Sequence, residues 1–265
     1  MSYKVFVEKR EGRPWQGDYW HDQILGEEIR LCPLQTIHDP LLRLLPKEGK
    51  ILEAGCGQGR WVVYLHQKGY KTIGLEIYED ALKGTKKEFP SLPLIRGDVL
   101  RLPHPENSIS AIISLGVVEH FEMGSEEALR EMYRILRPGG LLFLTVPYES
   151  ILRRWVHRPY HHAVTLIKQQ RGKSFVFGEY RYNRKEMKEF LQQVGFKILE
   201  THPDDFCFPK SLGFYTDWTR YVAKKGKKWE LNGFGNVLTR LLQRISPWAY
   251  PSGILFIARK DIKNF

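Results

Sequence analysis

A short glycine-rich turn after an apolar strand restricts this chain more than any other feature of its 265 residues. Residues 51–60 read ILEAGCGQGR, so two apolar residues, an acid and an alanine lead into Gly55, Gly57 and Gly59. Glycine permits a sharp turn and lets a ligand lie against the backbone without an intervening Cβ atom. At the carboxyl end of the first parallel strand, such a turn binds an adenosine-containing ligand. The motif therefore predicts a strand, a ligand-binding turn and a helix.

The residues that follow continue the same strand–helix alternation. Strands are predicted at 71–76, 92–97, 110–115, 195–200 and 252–260, with one more after an Arg-Pro-Gly-Gly turn, and helices at 58–68, 79–88, 125–136 and 183–194. Glu76 ends the second strand 21 residues after Gly55, where a βαβ unit places a ribose-binding acid. Asn183 is a candidate N-cap, and Trp61 is expected to face the sheet. Alternation of this kind predicts a parallel sheet with helices on both faces.

Together, the glycine loop, the acids after the strands and the Arg-Pro-Gly-Gly turn resemble the class I S-adenosylmethionine-dependent methyltransferases over residues 50–147. The pair Glu119-His120 after the fourth strand is similar to the type-11, small-molecule branch of that family. The resemblance implies an α/β fold, with a Rossmann-like, seven-stranded, mostly parallel sheet and an antiparallel last strand. It also implies an enzyme whose cofactor is S-adenosyl-L-methionine.

The resemblance assigns the cofactor-binding residues one by one. Glu53 is expected to organise the methionine ammonium group, Glu76 to hold the ribose with Ile77 beside the adenine, and Asp98 to meet the adenine edge. The full set of predicted cofactor residues is Glu53, Gly55, Cys56, Gly57, Gly59, Glu76, Ile77, Asp98, Val99, Leu115 and Gly116. A carboxylate suits the two ribose hydroxyls because its two oxygens each accept hydrogen bonds.

His120 is the candidate catalytic residue. A histidine can act as a base near neutral pH, but here it can equally donate to a backbone carbonyl and hold the loop, which is the role we favour. Some quinone-precursor methyltransferases of similar sequence place metal-binding carboxylates around this motif. Because Gly116 stands where a further acid would be expected, no metal is predicted.

Two insertions depart from the minimal fold. We divide the chain into an N-terminal helical lid at 1–49 and a methyltransferase domain at 50–265, with insertions at 148–182 and 201–251. The first insertion begins at the carboxyl rim of the sheet, where ligands of α/β proteins bind, so it is assigned to acceptor recognition. Candidate substrate-binding residues are Tyr19, Trp20, Tyr148, Arg153, Arg154, His157 and Tyr180.

Charge is unevenly distributed along the chain. The formal net charge is +11, made of −2 over residues 1–150 and +13 over residues 151–265. A basic C-terminal surface indicates an anionic partner, which can be a phosphorylated metabolite, an acidic lipid surface or RNA. An amphipathic helix at 236–245 suggests peripheral contact with a membrane.

The leading function is methylation of an O, N or C nucleophile on a small molecule or a lipid or quinone precursor. The alternative is methylation of an RNA ribose or ring nitrogen through the basic insertions, and neither the acceptor atom nor the oligomeric state is fixed. A nicotinamide-dependent oxidoreductase is disfavoured because Arg60 replaces the third glycine of the dinucleotide-binding fingerprint. A non-catalytic binding protein is disfavoured because the predicted cofactor residues are all present. Three scattered cysteines and an N-terminus without an apolar core favour a cytoplasmic location, free or membrane-peripheral.

Overall fold

The computed structural model describes residues 2–9 and 24–261. Its strands are β1 (Tyr3–Glu8), β2 (Lys50–Ala54), β3 (Lys71–Glu76), β4 (Leu94–Arg96), β5 (Ile109–Leu115), β6 (Leu136–Pro147), β7 (Phe175–Arg181), β8 (Phe196–Asp204) and β9 (Gly253–Lys260). Its helices are α1 (Leu25–Leu31), α2 (His38–Leu44), α3 (Arg60–Gln67), α4 (Glu79–Glu88), α5 (Glu126–Ile135), α6 (Arg158–Gln170), α7 (Arg184–Val194), α8 (Leu212–Val222) and α9 (Gly233–Ile245).

The main sheet has seven strands in the order β4-β3-β2-β5-β6-β9-β8. Strands β2 to β6 pair in parallel, and β9 runs antiparallel to both β6 and β8. The predicted fold class and the antiparallel last strand are therefore confirmed. The strand order reverses between β2 and β5, and in open α/β sheets the crevice at this switch point is where ligands bind.

Helices cover both faces of the main sheet. On one face α5 and α7 bury Leu129, Met132 and Leu191 against the strands. On the other face the α2 and α3 side chains Leu41 and Trp61 pack on the apolar strand centres. Trp61 is fully buried, as predicted. Burying each large apolar side chain stabilises the fold by about 1.5–3 kcal/mol, and the two layers hold the strand ends rigidly at the switch point.

Local sequence rules explain most element ends. The Asn183 side chain accepts a hydrogen bond from the Glu186 amide at 2.9 Å, so the predicted cap of α7 is confirmed. Strand β4 is shorter than the predicted 92–97, whereas β8 extends four residues beyond the predicted 195–200. The extension arises because β8 continues to pair with β9 as far as Asp204.

The N-terminal segment and the first insertion meet outside the main sheet. Strand β1 pairs antiparallel with β7, which places a strand where only helices were predicted for residues 1–49, and α1 and α2 follow later in that segment. The pairing depends on a distant partner and so has no local signal. Tyr19 and Trp20 lie outside the described residues. No helix in residues 2–9 and 24–261 combines the length and apolar character needed to cross a bilayer.

Candidate functional site

The turn after β2 has the backbone geometry of a ligand cradle. Gly55, Gly57 and Gly59 have φ angles of +80°, +55° and +81°, in the left-handed region that favours glycine. The amides of Gly55 and Cys56 donate to the Leu75 carbonyl at 2.8 and 2.9 Å, which fixes the turn to β3. Gly59 is the N-cap of α3, so the first turn of that helix points into the switch-point crevice.

Glu76 holds the glycine loop through its carboxylate. Its Oε2 atom accepts a hydrogen bond from the Gly57 amide at 2.8 Å, and Oε1 accepts from the amides of Ile77 and Tyr78 at 2.9 and 3.1 Å. The acid is 6% exposed, so these bonds are shielded from water. The residue assigned to the ribose thus also shapes the loop, while Ile77 beside it is 51% exposed and offers an apolar surface.

A narrow cleft of about 40 Å³, partly open to solvent, lies beside the glycine loop. Its lining residues are Glu28, Glu53, Gly55, Cys56, Gln58, Arg60, Trp61 and Leu115. Glu53 is buried, and its Oε2 accepts from the Val62 amide at 3.1 Å. Burial raises the pKa of Glu53 to about 8, because desolvation outweighs the nearby Arg60 charge. A cationic ligand group next to this carboxyl group would favour its ionised form and lower its pKa.

The remaining predicted cofactor residues lie at the ends of neighbouring strands. The Asp98 Oδ1 atom accepts from the Leu100 amide at 2.9 Å and closes the turn after β4. Val99 is buried, and Gly116 follows β5 with a φ of +69°. Burial raises the pKa of the Cys56 thiol, so Cys56 is an uncharged wall of the cleft.

His120 lies in a short turn after β5, and its Nδ1 atom is 2.8 Å from the Gly178 carbonyl oxygen. A carbonyl only accepts, so Nδ1 carries the proton in this contact and Nε2 holds the lone pair of the neutral ring. Glu119 is 2% exposed, and burial raises its pKa well above the ordinary value. Across the described residues, no three or more His, Cys, Asp or Glu side chains come together as a metal site.

Arg153 and His157 occupy a buried network rather than an open acceptor surface. The Arg153 Nε atom donates to Asp217 at 2.6 Å, and its NH1 group donates to the carbonyls of Tyr148 and Ser252. His157 accepts from the Arg181 guanidinium, and burial, aided by the Arg181 charge, lowers its pKa to about 4. Both are predicted to contact substrate, and in this structure their side chains are engaged in intramolecular hydrogen bonds.

Other substrate candidates lie at the surface or the rim. Arg154 is exposed. The Tyr180 hydroxyl donates to the Glu122 carbonyl at 2.9 Å, and Tyr148 is buried against Trp248. Of these, Tyr148 follows directly after β6, at the carboxyl edge of the sheet.

The sequence interpretation missed a charged contact at the mouth of the cleft. Glu28 of α1, 6% exposed, accepts from Arg60 at 3.0 Å and from Lys228 at 3.0 Å. One carboxylate therefore joins the N-terminal helix, the glycine loop and the second insertion. No periodicity or motif marks Glu28, because its partners lie 32 and 200 residues away.

Comparison with known proteins finds similarity to a family model and to several relatives. Residues 52–144 match the type-11 family model described as "Methyltransferase domain". A protein of Mycolicibacterium smegmatis, named as a probable S-adenosylmethionine-dependent methyltransferase, is 24% identical over 57% of this chain and 53% of its own length. A demethylmenaquinone methyltransferase of Listeria welshimeri is 28% identical over 70% of this chain and 77% of its own length.

Solved structures show the same fold. A methyltransferase of Methanosarcina mazei aligns with a TM-score of 0.60 at 16% identity, covering 85% of this chain and 98% of that one. At this identity the likeness concerns the fold alone. The chain spans about half the length of the first curated relatives that it matches.

Proposed function

Residues 52–144 are a methyltransferase domain of the type-11 branch of class I S-adenosylmethionine-dependent enzymes, and from this premise we propose that the whole protein methylates a small molecule or a lipid or quinone precursor. The observation that carries the proposal is the left-handed glycine loop, which the buried Glu76 carboxylate holds open through the Gly57 amide. The accepting atom is an O, N or C nucleophile.

The residues around the cleft fit S-adenosylmethionine. Three glycines turn the loop at positive φ, the Glu53 carboxyl group in its ionised form suits an ammonium group, and Ile77 offers an apolar surface to adenine. When bound, this cofactor supplies an electrophilic methyl group on a sulfonium centre. In our proposal Asp98 and Val99 meet the adenine edge, and Leu115 and Gly116 lie beneath the methionine.

The chain's own contribution is alignment and exclusion of water. Holding two reactants in line can supply roughly 7–11 kcal/mol of the barrier, so no elaborate set of acids and bases is needed. The rim residues Tyr148 and His120 follow the adjacent strands β6 and β5, where the acceptor would enter. We keep His120 as a positioning residue, because its Nδ1 bond to Gly178 ties the turn after β5 to β7.

The acceptor class rests on two observations. Glu119-His120 follows β5, as in the small-molecule branch, and a relative named as a demethylmenaquinone methyltransferase aligns over most of its length. The net charge of +13 over residues 151–265 favours an anionic acceptor. A cytoplasmic location, peripheral at a membrane, and a lid role for residues 1–49 belong to the same proposal.

RNA is the second candidate acceptor. The basic, aromatic insertions favour it, since phosphates attract Lys and Arg and bases stack on aromatic rings. Against it, the apolar faces of the insertions are aliphatic as well as aromatic, which RNA does not cover. Strong salt dependence of binding to bulk RNA would support this candidate.

A labelling experiment separates the candidates. The protein is incubated with methyl-labelled S-adenosylmethionine and a soluble-plus-membrane extract, and label is counted in organic-soluble, small aqueous, nucleic-acid and protein fractions. We expect label in the organic-soluble or small aqueous fraction. Nuclease-sensitive label would favour RNA, and no label together with no binding of S-adenosylhomocysteine would contradict the proposed activity.

A further inference from the structure

Helix α6 presents its apolar side to solvent. Tyr160, Leu166 and Ile167 are 48%, 46% and 49% exposed, and no residue of the helix is buried. With Ala163, which is also exposed, these residues share one face at the i, i+3, i+6, i+7 spacing, and we call them the α6 stripe. A surface helix of a globular domain normally turns such a stripe to the core, whereas residues 2–9 and 24–261 leave this one about half exposed.

Polar contacts, together with the Tyr160 end of the stripe, hold α6 on the domain. Lys168 donates to Glu8 at 2.9 Å, and the Arg158 guanidinium lies 4.3 Å from the centre of the Tyr3 ring. Residues 161, 164 and 165, on the opposite face, are half-buried. The helix is therefore anchored to β1 in an orientation that leaves its apolar side outward.

The exposed apolar surface continues into the preceding π-helical turn. Trp155 is 74% exposed, Ile151 is 68% exposed and Val156 is 48% exposed. Trp155 is a large side chain with a polar N–H, the type of residue that is enriched at membrane–water interfaces.

A second apolar stripe lies on α9 and connects to the first. Phe234, Val237, Leu241 and Ile245 follow the helical spacing and are 65%, 59%, 52% and 77% exposed. Trp218 of α8 bridges the two helices: its ring centre lies 5.6 Å from that of Tyr160, and it packs in the same apolar cluster as the inner side of α9.

The two sequence segments that carry the stripes contain basic side chains and no acidic ones, although Lys168 and Lys173 of the first pair with Glu8 of β1. Residues 150–178 contain six Lys or Arg and no Asp or Glu, and residues 231–260 contain four and none. Of these basic residues, Arg154 and Arg171 are exposed beside the α6 stripe. The occupant must therefore be apolar inside and anionic at its surface. A second copy of this chain would bring like charges together, and RNA would leave the aliphatic side chains in water.

We propose that the α6 stripe, Trp155 and the α9 stripe form a docking surface for a bilayer with anionic headgroups. Apolar side chains enter the headgroup–acyl boundary, and the flanking Lys and Arg side chains contact the lipid phosphates. The surface belongs to the insertion that starts at the acceptor rim, so docking would deliver a lipid-like acceptor to the cleft. That last link rests on the proposed function, whereas the docking itself does not.

Vesicle sedimentation tests the docking directly. The full chain is mixed with vesicles of phosphatidylcholine alone or with 30% phosphatidylglycerol, in about 0.1 M salt, without cofactor or acceptor. We expect binding to the anionic vesicles only, with the affinity falling about fivefold for each basic side chain removed, as in R154Q and R171Q. Equal or absent binding to both vesicles would overturn the proposal.

A stripe variant localises the contact. Trp155→Ser combined with Leu166→Ser and Ile167→Ser is expected to weaken binding at least about tenfold, because each buried methylene contributes to insertion. Leu199→Ser is the matched control, since Leu199 is 38% exposed on β8, away from both stripes, and it should bind like the parent chain. Unchanged vesicle binding by the triple variant contradicts the surface assigned here.

Two further readouts separate the other occupants. Sedimentation velocity would reveal a dimer that the triple variant disperses, and such a dimer without vesicle binding would favour a second copy instead. Binding of S-adenosylhomocysteine by every variant shows that the domain is folded. Vesicle binding without methyl transfer would leave docking intact and contradict only the proposed activity, so the two failures are distinguishable.

Discussion

The glycine loop and the first insertion both depend on a buried carboxylate, but the two carboxylates act over different distances. Glu76 accepts backbone amides from residues within 19 positions of it. Asp217 pairs with Arg153, 64 positions away, and with Arg181. The loop is thus shaped by its own neighbourhood in the sequence, whereas the insertion is held by contacts between distant segments. Variants can damage one region and spare the other.

Breaking the insertion network is expected to have the largest effect. Asp217→Ala leaves Arg153 buried without its counter-charge and removes one of the two acids that pair with Arg181, which costs about 3–5 kcal/mol of unfolding free energy. Denaturant unfolding measures this loss. The control is Glu126→Gln, because its pair with Arg130 is exposed and contributes at most about 1 kcal/mol. Equal losses in the two variants would contradict the network.

Asp217 also predicts a pH dependence. Burial opposes its ionisation, but Arg153 and Arg181 outweigh burial and hold its pKa below the ordinary 3.8. The folded-state pKa is depressed, so the stabilisation is present above about pH 4 and is lost as the pH falls through the folded-state value. The parent chain should therefore lose stability below pH 4 more steeply than Asp217→Ala. Parallel acid unfolding curves would contradict this.

Filling the glycine loop is the next largest effect. In Gly55→Ala the new Cβ would lie 2.4 Å from Val117 Cγ2, at a φ of +80°. Overpacking and left-handed strain together cost about 3 kcal/mol of unfolding free energy. Because relief of the clash shifts the loop, we also expect markedly weaker S-adenosylhomocysteine binding in calorimetry. Gly69→Ala is the matched control, since Gly69 has a φ of +85° and nothing within 4 Å of the new Cβ. Equal affinity in both variants would remove the loop from the binding site.

Loosening the loop without filling it is expected to be milder. In Glu76→Gln the single amide oxygen can accept hydrogen bonds either from the Ile77 and Tyr78 amides or from the Gly57 amide, but not from both sides. The new NH2 group then faces the N–H donors on the other side. We expect about tenfold weaker cofactor binding and about 1–3 kcal/mol lower stability, because a buried donor loses its acceptor. The exposed Glu79→Gln should change neither. Full affinity in Glu76→Gln would argue against both roles of this acid.

Glu53 is expected to give a smaller, pH-dependent effect. Its folded-state pKa is about 8, raised by burial, so below pH 8 the folded protein holds a proton that a cationic ligand group would displace. Affinity for S-adenosylmethionine should rise with pH up to about 8, with proton release visible in calorimetry with buffers of different ionisation enthalpy. Glu53→Gln can still accept from Val62 and should abolish that release. Proton release that persists in the variant would place it on another group.

The smallest effect is expected at His120. His120→Asn keeps a donor that can reach toward the Gly178 carbonyl, so turnover should fall less than about tenfold if His120 positions the loop. Loss of a general base would cost about 10²–10⁴ in kcat. Steady-state kinetics over pH 6–9 distinguishes the two roles. A fall in kcat of about 10²–10⁴ would show that His120 acts as a general base.

The main sheet was predictable because its rules are local. Strand β3 and helix α4 begin and end at the predicted residues, and Asn183 caps α7 as predicted. The sequence signals for these elements are an apolar run, an acid before a helix and a short polar side chain, and each of them acts within a few positions. The positions of Glu53 and Glu76 in the candidate site follow from the same spacing. The hydrogen bonds that they accept from the Val62 and Gly57 amides could not be predicted, because a sequence motif identifies a residue but not its hydrogen-bond partner.

The insertions were predictable only in composition. Their aromatic and basic character was evident, but the burial of Arg153 and His157 depends on Asp217, which no spacing rule connects to them. Glu28 is a similar case, since its two partners come from α3 and the second insertion. Strand β1 was read as part of a helical segment because its partner lies at the far end of the first insertion.

The pairing of β1 with β7 also sets an order of events during synthesis. Tyr3 leaves the ribosome well before Arg181, its partner, which lies 178 positions further along the chain. At about 5–20 residues per second this interval lasts about 10–35 s. During that time β7, the partner strand of β1, has not yet been synthesised. The unpaired edge of β1 is therefore a binding site for chaperones and a site of misassembly. The yield of folded protein should therefore depend on translation speed more than its final stability does.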